Sequence, residues 1–257
     1  MSKTLTERTF VWAHRGAPGA TIGSNPALLY APENTMPSFA LAAEMQADGI
    51  ETDVHFSKDG KIIVIHDNKL ERTTNGQGLV TDYTFDELQV FDAGIKAGAQ
   101  FKGTRIPTVD ELLDFCREHN LVLNIEIKSN DPALPAALFE CVKKHNMVEG
   151  TLYSSFDHEQ LARMLRVYPN AFVAPLYSFN MVHPWDYAVS MGAKAMHPNY
   201  NQLSLYPEYV EKCHAAGVRV HPWTVDSAEK AVELAAAGCD ALITNRPDEI
   251  RKALGYC

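Results

Sequence analysis

Cysteine is scarce and scattered: Cys116, Cys141, Cys213, Cys239 and Cys257 form an odd set of five with no CxxC spacing. That excludes a disulfide framework and a cysteine-based zinc site, and the thiols read as reduced and mostly buried. Long apolar runs are missing too. The start, Met1 to Arg8, carries no apolar h-region, and no later stretch reaches membrane-spanning length, so a cytoplasmic protein without stable membrane association is expected. Positive charge is short as well. A formal net charge of -9 with no basic stripe argues against a nucleic acid as partner, although a small anion is acceptable where a metal supplies local positive charge. No low-complexity segment or short-period repeat stands out.

What is present is material for a large core. Hydrophobic residues make up 46% of the 257 and charged residues 21%, a balance that fits one globular domain. Short β-type runs recur at Phe10 to Ala13, Gly49 to Val54, Leu121 to Ile127, Thr151 to Ser154, Ala171 to Pro175, Lys194 to Met196, Val218 to His221 and Asp240 to Thr244. Helical spacing fills the gaps, with start signals such as Thr108-Val109-Asp110-Glu111 and Asp226-Ser227-Ala228-Glu229. Eight strands alternating with helices predict an α/β fold, a closed parallel (β/α)8 TIM barrel spanning residues 1–257.

A ninth run, Ile62 to His66, follows the second strand after only Ser57-Lys58-Asp59-Gly60, far too short for a parallel crossover. It must return antiparallel. Such a hairpin carries His66 back to the strand ends where Glu51 and Asp53 stand. The stretch from about Phe56 to Arg105 then reads as an insertion that caps this face, or else as a surface loop.

Side chains two apart on a strand share a face, so Glu51 and Asp53 point one way, as do Glu126 and Lys128. Unpaired carboxylates are costly inside a barrel, by several kcal/mol each. Either one hard divalent cation, Mg²⁺, Ca²⁺ or Mn²⁺, holds Glu51, Asp53 and Glu126 together, or these acids pair with arginines or face solvent. His14 ends an apolar strand, where barrel enzymes place catalytic groups, and His66-Asp67 ends another apolar run. Two histidines can divide the roles of base and acid near neutral pH. Arg15 and Lys128 suit phosphate oxygens or, equally, salt bridges to the neighbouring acids. With a divalent ion they leave the three carboxylates one positive charge in surplus, a sign that welcomes a phosphodiester monoanion.

These residues resemble the glycerophosphodiester phosphodiesterase family of the bacterial, cytoplasmic type. The likeness runs through His14-Arg15-Gly16, Ala31-Pro32-Glu33-Asn34-Thr35, Gly49-Ile50-Glu51-Thr52-Asp53-Val54, Lys58-Asp59-Gly60, His66-Asp67, Arg72-Thr73-Thr74-Asn75-Gly76, Ile106-Pro107-Thr108, Glu126-Ile127-Lys128 and Thr244-Asn245-Arg246-Pro247, nearly the whole chain. It implies a barrel with a capping insertion, one divalent cation, and hydrolysis of glycerophosphodiesters to sn-glycerol 3-phosphate and an alcohol. By the resemblance His14 is the general base and His66 the general acid. Glu51, Asp53 and Glu126 match the metal ligands, Arg15 and Lys128 the phosphate contacts, and Glu33 and Asn34 brace them. One departure is visible, since Ala17 to Tyr30 is longer than the family's usual link and bears on leaving-group specificity.

Phe156 and Trp223 sit at strand ends, where they either wall a glycerol pocket or pack in the core. His55, two beyond Asp53 on the same face, either supports that site or is merely polar at the hairpin, His197 has no assigned role, and His119 and His145 read as solvated surface. Rival functions are a lysophospholipase D, a phospholipase C-like phosphodiesterase, or a barrel that binds without catalysis. The absence of a basic or aromatic membrane-docking stretch favours soluble, deacylated diesters.

Overall fold

The computed structural model describes residues 8–256; Met1 to Glu7 and Cys257, on which two of the readings above fall, lie outside the described residues. Among the described residues nine strands are formed: β1 (Phe10–His14), β2 (Gly49–Phe56), β3 (Ile62–Val64), β4 (Val122–Ile127), β5 (Thr151–Ser155), β6 (Val173–Tyr177), β7 (Ala195–Pro198), β8 (Arg219–Val220) and β9 (Ala241–Thr244). Between and after them run α1 (Met36–Glu44), α2 (Phe85–Leu88), α3 (Val109–Glu118), α4 (Leu134–Lys144), α5 (His158–Val167), α6 (Pro184–Met191), α7 (Tyr209–Ala215), α8 (Ala228–Ala236) and α9 (Pro247–Ala253). Each expected strand is present. β6 starts two residues later than its sequence pattern suggests and runs to Tyr177.

All pairings along the order β8-β7-β6-β5-β4-β2-β1-β9 are parallel. The ring is closed between β8 and β9 by single hydrogen bonds, Asp240 N to Val220 O at 3.0 Å and Ile243 N to Pro222 O at 3.1 Å. Pro222 has no N–H to add a further bond on the β9 side. The hairpin reading holds: β3 returns antiparallel, with Val54 opposite Val64, and Ile65 N donates to Asp53 O at 3.0 Å.

Alternation along the strands sorts the core into two layers. Val11, Ala13, Ile50, Leu123, Ile125 and Val173 face outward and join Leu112, Leu138 and Leu161 of the surrounding helices in one large cluster. Trp12, Leu152, Ala241 and Ile243 fill the interior with Phe172 and Trp223 against them. A third cluster, Ile63, Ile65, Leu70, Val80, Leu88, Ala93 and Ile106, belongs to the segment after β2. Burying each of these large aliphatic chains contributes about 1.5–3 kcal/mol, so this segment has a core of its own to hold β3 in place. Among the described residues no helix is long and apolar enough to cross a membrane.

α3 begins as its sequence demands, with Thr108 and Glu111 forming a reciprocal capping box. Cys116, Cys213 and Cys239 are buried free thiols and Cys141 is half-buried. His145 departs from expectation: at the end of α4 it is buried, with Nδ1 at 2.8 Å from Asp114 Oδ1 and Nε2 at 2.9 Å from Asp110 Oδ1. Helical position placed it near solvent, but α3 packs over it. Lys61 Nζ reaches the same Asp110 at 2.7 Å, so one carboxylate joins α3, α4 and the β2–β3 hairpin.

Burial opposes the Asp110 charge, yet Lys61 and His145 prevail and hold its pKa well below the usual carboxylate range. A depressed carboxyl pKa gives stability that is complete above the ordinary carboxylate value and lost as pH falls through the folded one. His145→Ala should therefore cost about 1.5–3 kcal/mol at neutral pH by urea unfolding, the worth of hydrogen bonds to charged groups. The deficit should shrink on acidification, and an undiminished deficit at low pH would contradict this account.

Candidate active site

The strand register assembles the site. His14 pairs with Glu51 across β1 and β2, and Asp53 with Glu126 across β2 and β4. All four occupy interior positions toward the carboxyl ends of adjacent strands, and the carboxylate oxygens of Glu51, Asp53 and Glu126 lie within 4.8 Å of one another. Their exposures are only 4%, 0% and 6%, so water does little to separate their charges.

Two cations face them. Lys128 Nζ lies 2.7 Å from Glu126 Oε1 and 3.4 Å from Asp53 Oδ1, while Arg15 Nε lies 3.3 Å from Asp53 Oδ2. Asn34 Nδ2 donates to Asp53 Oδ2 at 2.8 Å, and Thr52 Oγ1 donates to Asn34 Oδ1 at 2.8 Å, fixing the amide. Burial would raise the Asp53 pKa, but Arg15 and Lys128 drive it far down, so this carboxylate stays ionised. The other two go the opposite way. Burial and then Asp53 push Glu126 up to about 7, and burial with Asp53 and Glu126 pushes Glu51 well above its ordinary value.

Arg15 is also held through its guanidinium, which donates to Glu33 Oε1 at 2.8 Å. Glu33 accepts two further bonds from Arg72, at 2.9 and 2.8 Å, and Arg72 Nε donates to Asp67 Oδ2 at 2.7 Å. Asp67 Oδ1 in turn lies 2.6 Å from His66 Nδ1. Arg15, Glu33, Arg72, Asp67 and His66 thus form one chain of alternating charge. His55, buried beside it, bonds the His66 carbonyl through Nε2 at 3.1 Å. The link from Ala17 to Tyr30 is tied to the same chain, Ile22 N donating to Glu33 Oε2 at 3.0 Å.

His14 is held differently, its Nδ1 lying 2.7 Å from Asn245 Oδ1. Burial, then Arg15, lowers its pKa to about 4, which keeps the ring neutral at physiological pH. The His66 pKa is also lowered, first by burial, with Asp53 and Asp67 opposing. His14, Arg15, Glu51, His66, Glu126 and Lys128 open on one cavity of about 100 Å³. Phe156 and Trp223 wall it, their rings edge to face at 5.4 Å, so the pocket position and mutual packing both apply to them.

A sharp backbone corner makes this convergence possible. Arg15 and Asn34 both adopt left-handed φ, 56° and 55°, an unusual conformation for residues with a side chain. Arg15 N donates to Glu51 O at 2.8 Å and Asn34 N to Arg15 O at 3.0 Å, which holds the strain. Gly16 at φ 84° completes the turn; a Cβ there would stand 2.7 Å from the carbonyl carbon of Ser38.

The model of the glycerophosphoryl diester phosphodiesterase family matches residues 14–249, which include every residue named in this site. The chain belongs to the glycerophosphodiester phosphodiesterase family. A glycerophosphodiester phosphodiesterase of Caldanaerobacter subterraneus subsp. tengcongensis is 39% identical over 246 residues, covering 95% of this chain and 96% of its own. The crystal structure of an Agrobacterium tumefaciens glycerophosphodiester phosphodiesterase has a TM-score of 0.82 at 30% identity, over 95% of this chain and 99% of that one. An Oleispira antarctica phosphodiesterase, solved with its product sn-glycerol 3-phosphate, superposes with a TM-score of 0.87 at 28% identity, covering 96% of this chain and 97% of that one. Family membership makes the protein a phosphoric diester hydrolase and agrees with the barrel.

Several residues around this site had no assigned role from the sequence, among them Asp67 and Arg72 behind His66 and Asn245 and Asp226 behind His14. Asn245 and Asp226 lie far from His14 in the chain, and only barrel closure brings them behind it. The signal was there in Thr244-Asn245-Arg246-Pro247, which the family likeness includes. Asn124 and Ser154 also line the cavity, Ser154 Oγ donating to Asn124 Oδ1 at 2.9 Å. His197, by contrast, is fully buried lower in the interior, 2.9 Å from His221 and beside Trp12.

The donor set fits a hard divalent cation: three buried carboxylates crowd together, two are forced toward protonation, and Asp53 Oδ1 makes no hydrogen bond. A cation binding there would compete with protons on Glu126 and Glu51, whose carboxyls are pushed up by burial. Below the Glu126 pKa of about 7, affinity should rise about tenfold per pH unit for each proton displaced. Calorimetry of the chelated protein with Mg²⁺ should show heats that depend on buffer ionisation enthalpy, and Glu126→Gln should reduce both affinity and proton release. Buffer-independent heats in the wild type would show that the carboxylates were already ionised.

Proposed function

We propose that the protein hydrolyses glycerophosphodiesters to sn-glycerol 3-phosphate and an alcohol, using one divalent cation with His14 as general base and His66 as general acid. The observation that carries the assignment is the contrast between the two histidines' partners. An amide oxygen holds His14 without adding charge, which suits a neutral base, whereas a carboxylate holds His66 and stabilises its imidazolium. An arriving phosphodiester monoanion would act with Asp67 against the burial that lowers the His66 pKa, and so favour its protonated form. Residues 1–257 act as one barrel domain, with the insertion of about 56–105 capping the mouth and delivering His66.

Glu51, Asp53 and Glu126 are the residues that would hold the cation, Mg²⁺, Ca²⁺ or Mn²⁺, whose charge would stabilise the non-bridging phosphate oxygens as negative charge builds on them. Arg15 and Lys128 add to that stabilisation, Arg15 kept in place by Glu33 and Asn34 through Asp53. With phosphorus so positioned, the glycerol 2-oxygen attacks it while His14 takes the hydroxyl proton. His66 protonates the departing alcohol oxygen as its bond to phosphorus breaks. Water then opens the cyclic phosphate, His66 taking the water's proton and His14 returning one to the 2-oxygen, so both histidines end as they began.

Each of His14→Ala and His66→Ala should lower kcat on glycerophosphocholine by about 10²- to 10⁴-fold. A leaving group that needs no proton separates the roles: His66→Ala should recover most of its rate on p-nitrophenyl glycerophosphate, and His14→Ala should not. Recovery by the His14 variant alone would reverse the assignment. A diester lacking the glycerol 2-hydroxyl should be turned over far more slowly; turnover at the normal rate would replace the cyclic route with direct attack by water. Release of glycerol 3-phosphate from a panel of diesters identifies the leaving alcohol, and faster turnover of lysophosphatidylcholine than of glycerophosphocholine would favour a lysophospholipase D.

A further inference from the structure

We infer that Asn245 and Asp226 are positioning residues that lock His14 in the tautomer whose Nε2 is free to accept the substrate proton. This rests on the reading of His14 as the base. An asparagine side chain could present either its oxygen or its nitrogen to a histidine, and heavy-atom positions alone do not distinguish them. Asp226 removes the ambiguity. Its Oδ2 lies 2.6 Å from Asn245 Nδ2, and its Oδ1 accepts from Asn245 N at 2.8 Å and from Thr244 Oγ1 at 3.0 Å.

A carboxylate only accepts, so the Asn245 amide must turn its N–H toward Asp226 and its oxygen toward His14. An amide oxygen also only accepts, so His14 Nδ1 carries the ring proton. In a neutral imidazole the lone pair is then on Nε2, which stands 3.9 Å from Glu51 Oε2. The other tautomer would set two lone pairs against each other 2.7 Å apart. Asp226 is itself placed by the barrel, since Val225 N donates to Ile243 O at 2.8 Å just before α8. The lock uses a neutral group where His66 has a carboxylate, so the ring is oriented without being driven to the imidazolium.

The test combines kinetics with the imidazole ¹⁵N spectrum of His14. Asn245→Leu should lower kcat by about 10²- to 10⁴-fold, the scale of a base in the wrong tautomer, with KM little changed. Its spectrum should show a proton on Nε2, where the wild type carries it on Nδ1. The double variant Asp226→Asn with Asn245→Asp rebuilds the relay with donor and acceptor exchanged, so its spectrum should keep the ring proton on Nδ1 while the new carboxylate raises the His14 pKa. The idea is overturned if Asn245→Leu keeps kcat within about threefold. It is equally overturned if its spectrum matches the wild type, or if the neutral ring of the double variant carries its proton on Nε2. A wild type inactive on glycerophosphodiesters would sink the substrate reading alone, because the spectrum requires no turnover.

Discussion

Glu51, Asp53 and Glu126 concentrate three carboxylates inside a protein core, and the surrounding structure is arranged around that charge. Left alone, such a cluster is expensive, because the interior screens neither the self-energy of each ion nor their repulsion. Arg15, Lys128 and the Asn34 amide concentrate their help on Asp53, which keeps it ionised, while Glu51 and Glu126 are pushed toward their neutral forms. The site is therefore charge-frustrated in a way that a hard cation would relieve. In the proposed function the residues that relieve Asp53 also contact the phosphate, so metal loading and anion binding would draw on one electrostatic arrangement.

Positioning follows from backbone constraints rather than from side-chain flexibility. Strand alternation sends Glu51, Asp53 and Glu126 inward, and parallel register sets them side by side. The left-handed corner at Arg15 and Gly16, met by Asn34, then folds the first loop back so that Arg15 returns to Asp53. His66 arrives from a different direction on the antiparallel hairpin and is anchored through Asp67 and Arg72 to Glu33. Two histidines from separate elements thus share one mouth but keep distinct electrostatic surroundings.

Much of this was legible in the chain. The eight barrel strands, the returning hairpin and the inward parity of the acids all follow from periodicity and turn length, which act over a few residues. His145 shows where such reading fails, because helical position alone said nothing about α3 closing over it. Asn245 shows the same limit at the candidate site, since its partner His14 lies at the other end of the chain, and Asp226 reaches His14 only through Asn245.

The sequence by itself determined which residues carry charge, which face each strand presents, and the kinship that points to glycerophosphodiesters. Only the tertiary structure decided which neighbour each group meets: a neutral amide behind His14, a carboxylate behind His66, and unequal ionisation among three acids of similar chemistry. The reason is that hydrogen-bond partners, desolvation and Coulomb interactions depend on distances between segments, and those distances are set when β9 closes against β1 and the β3 hairpin folds back onto the barrel mouth.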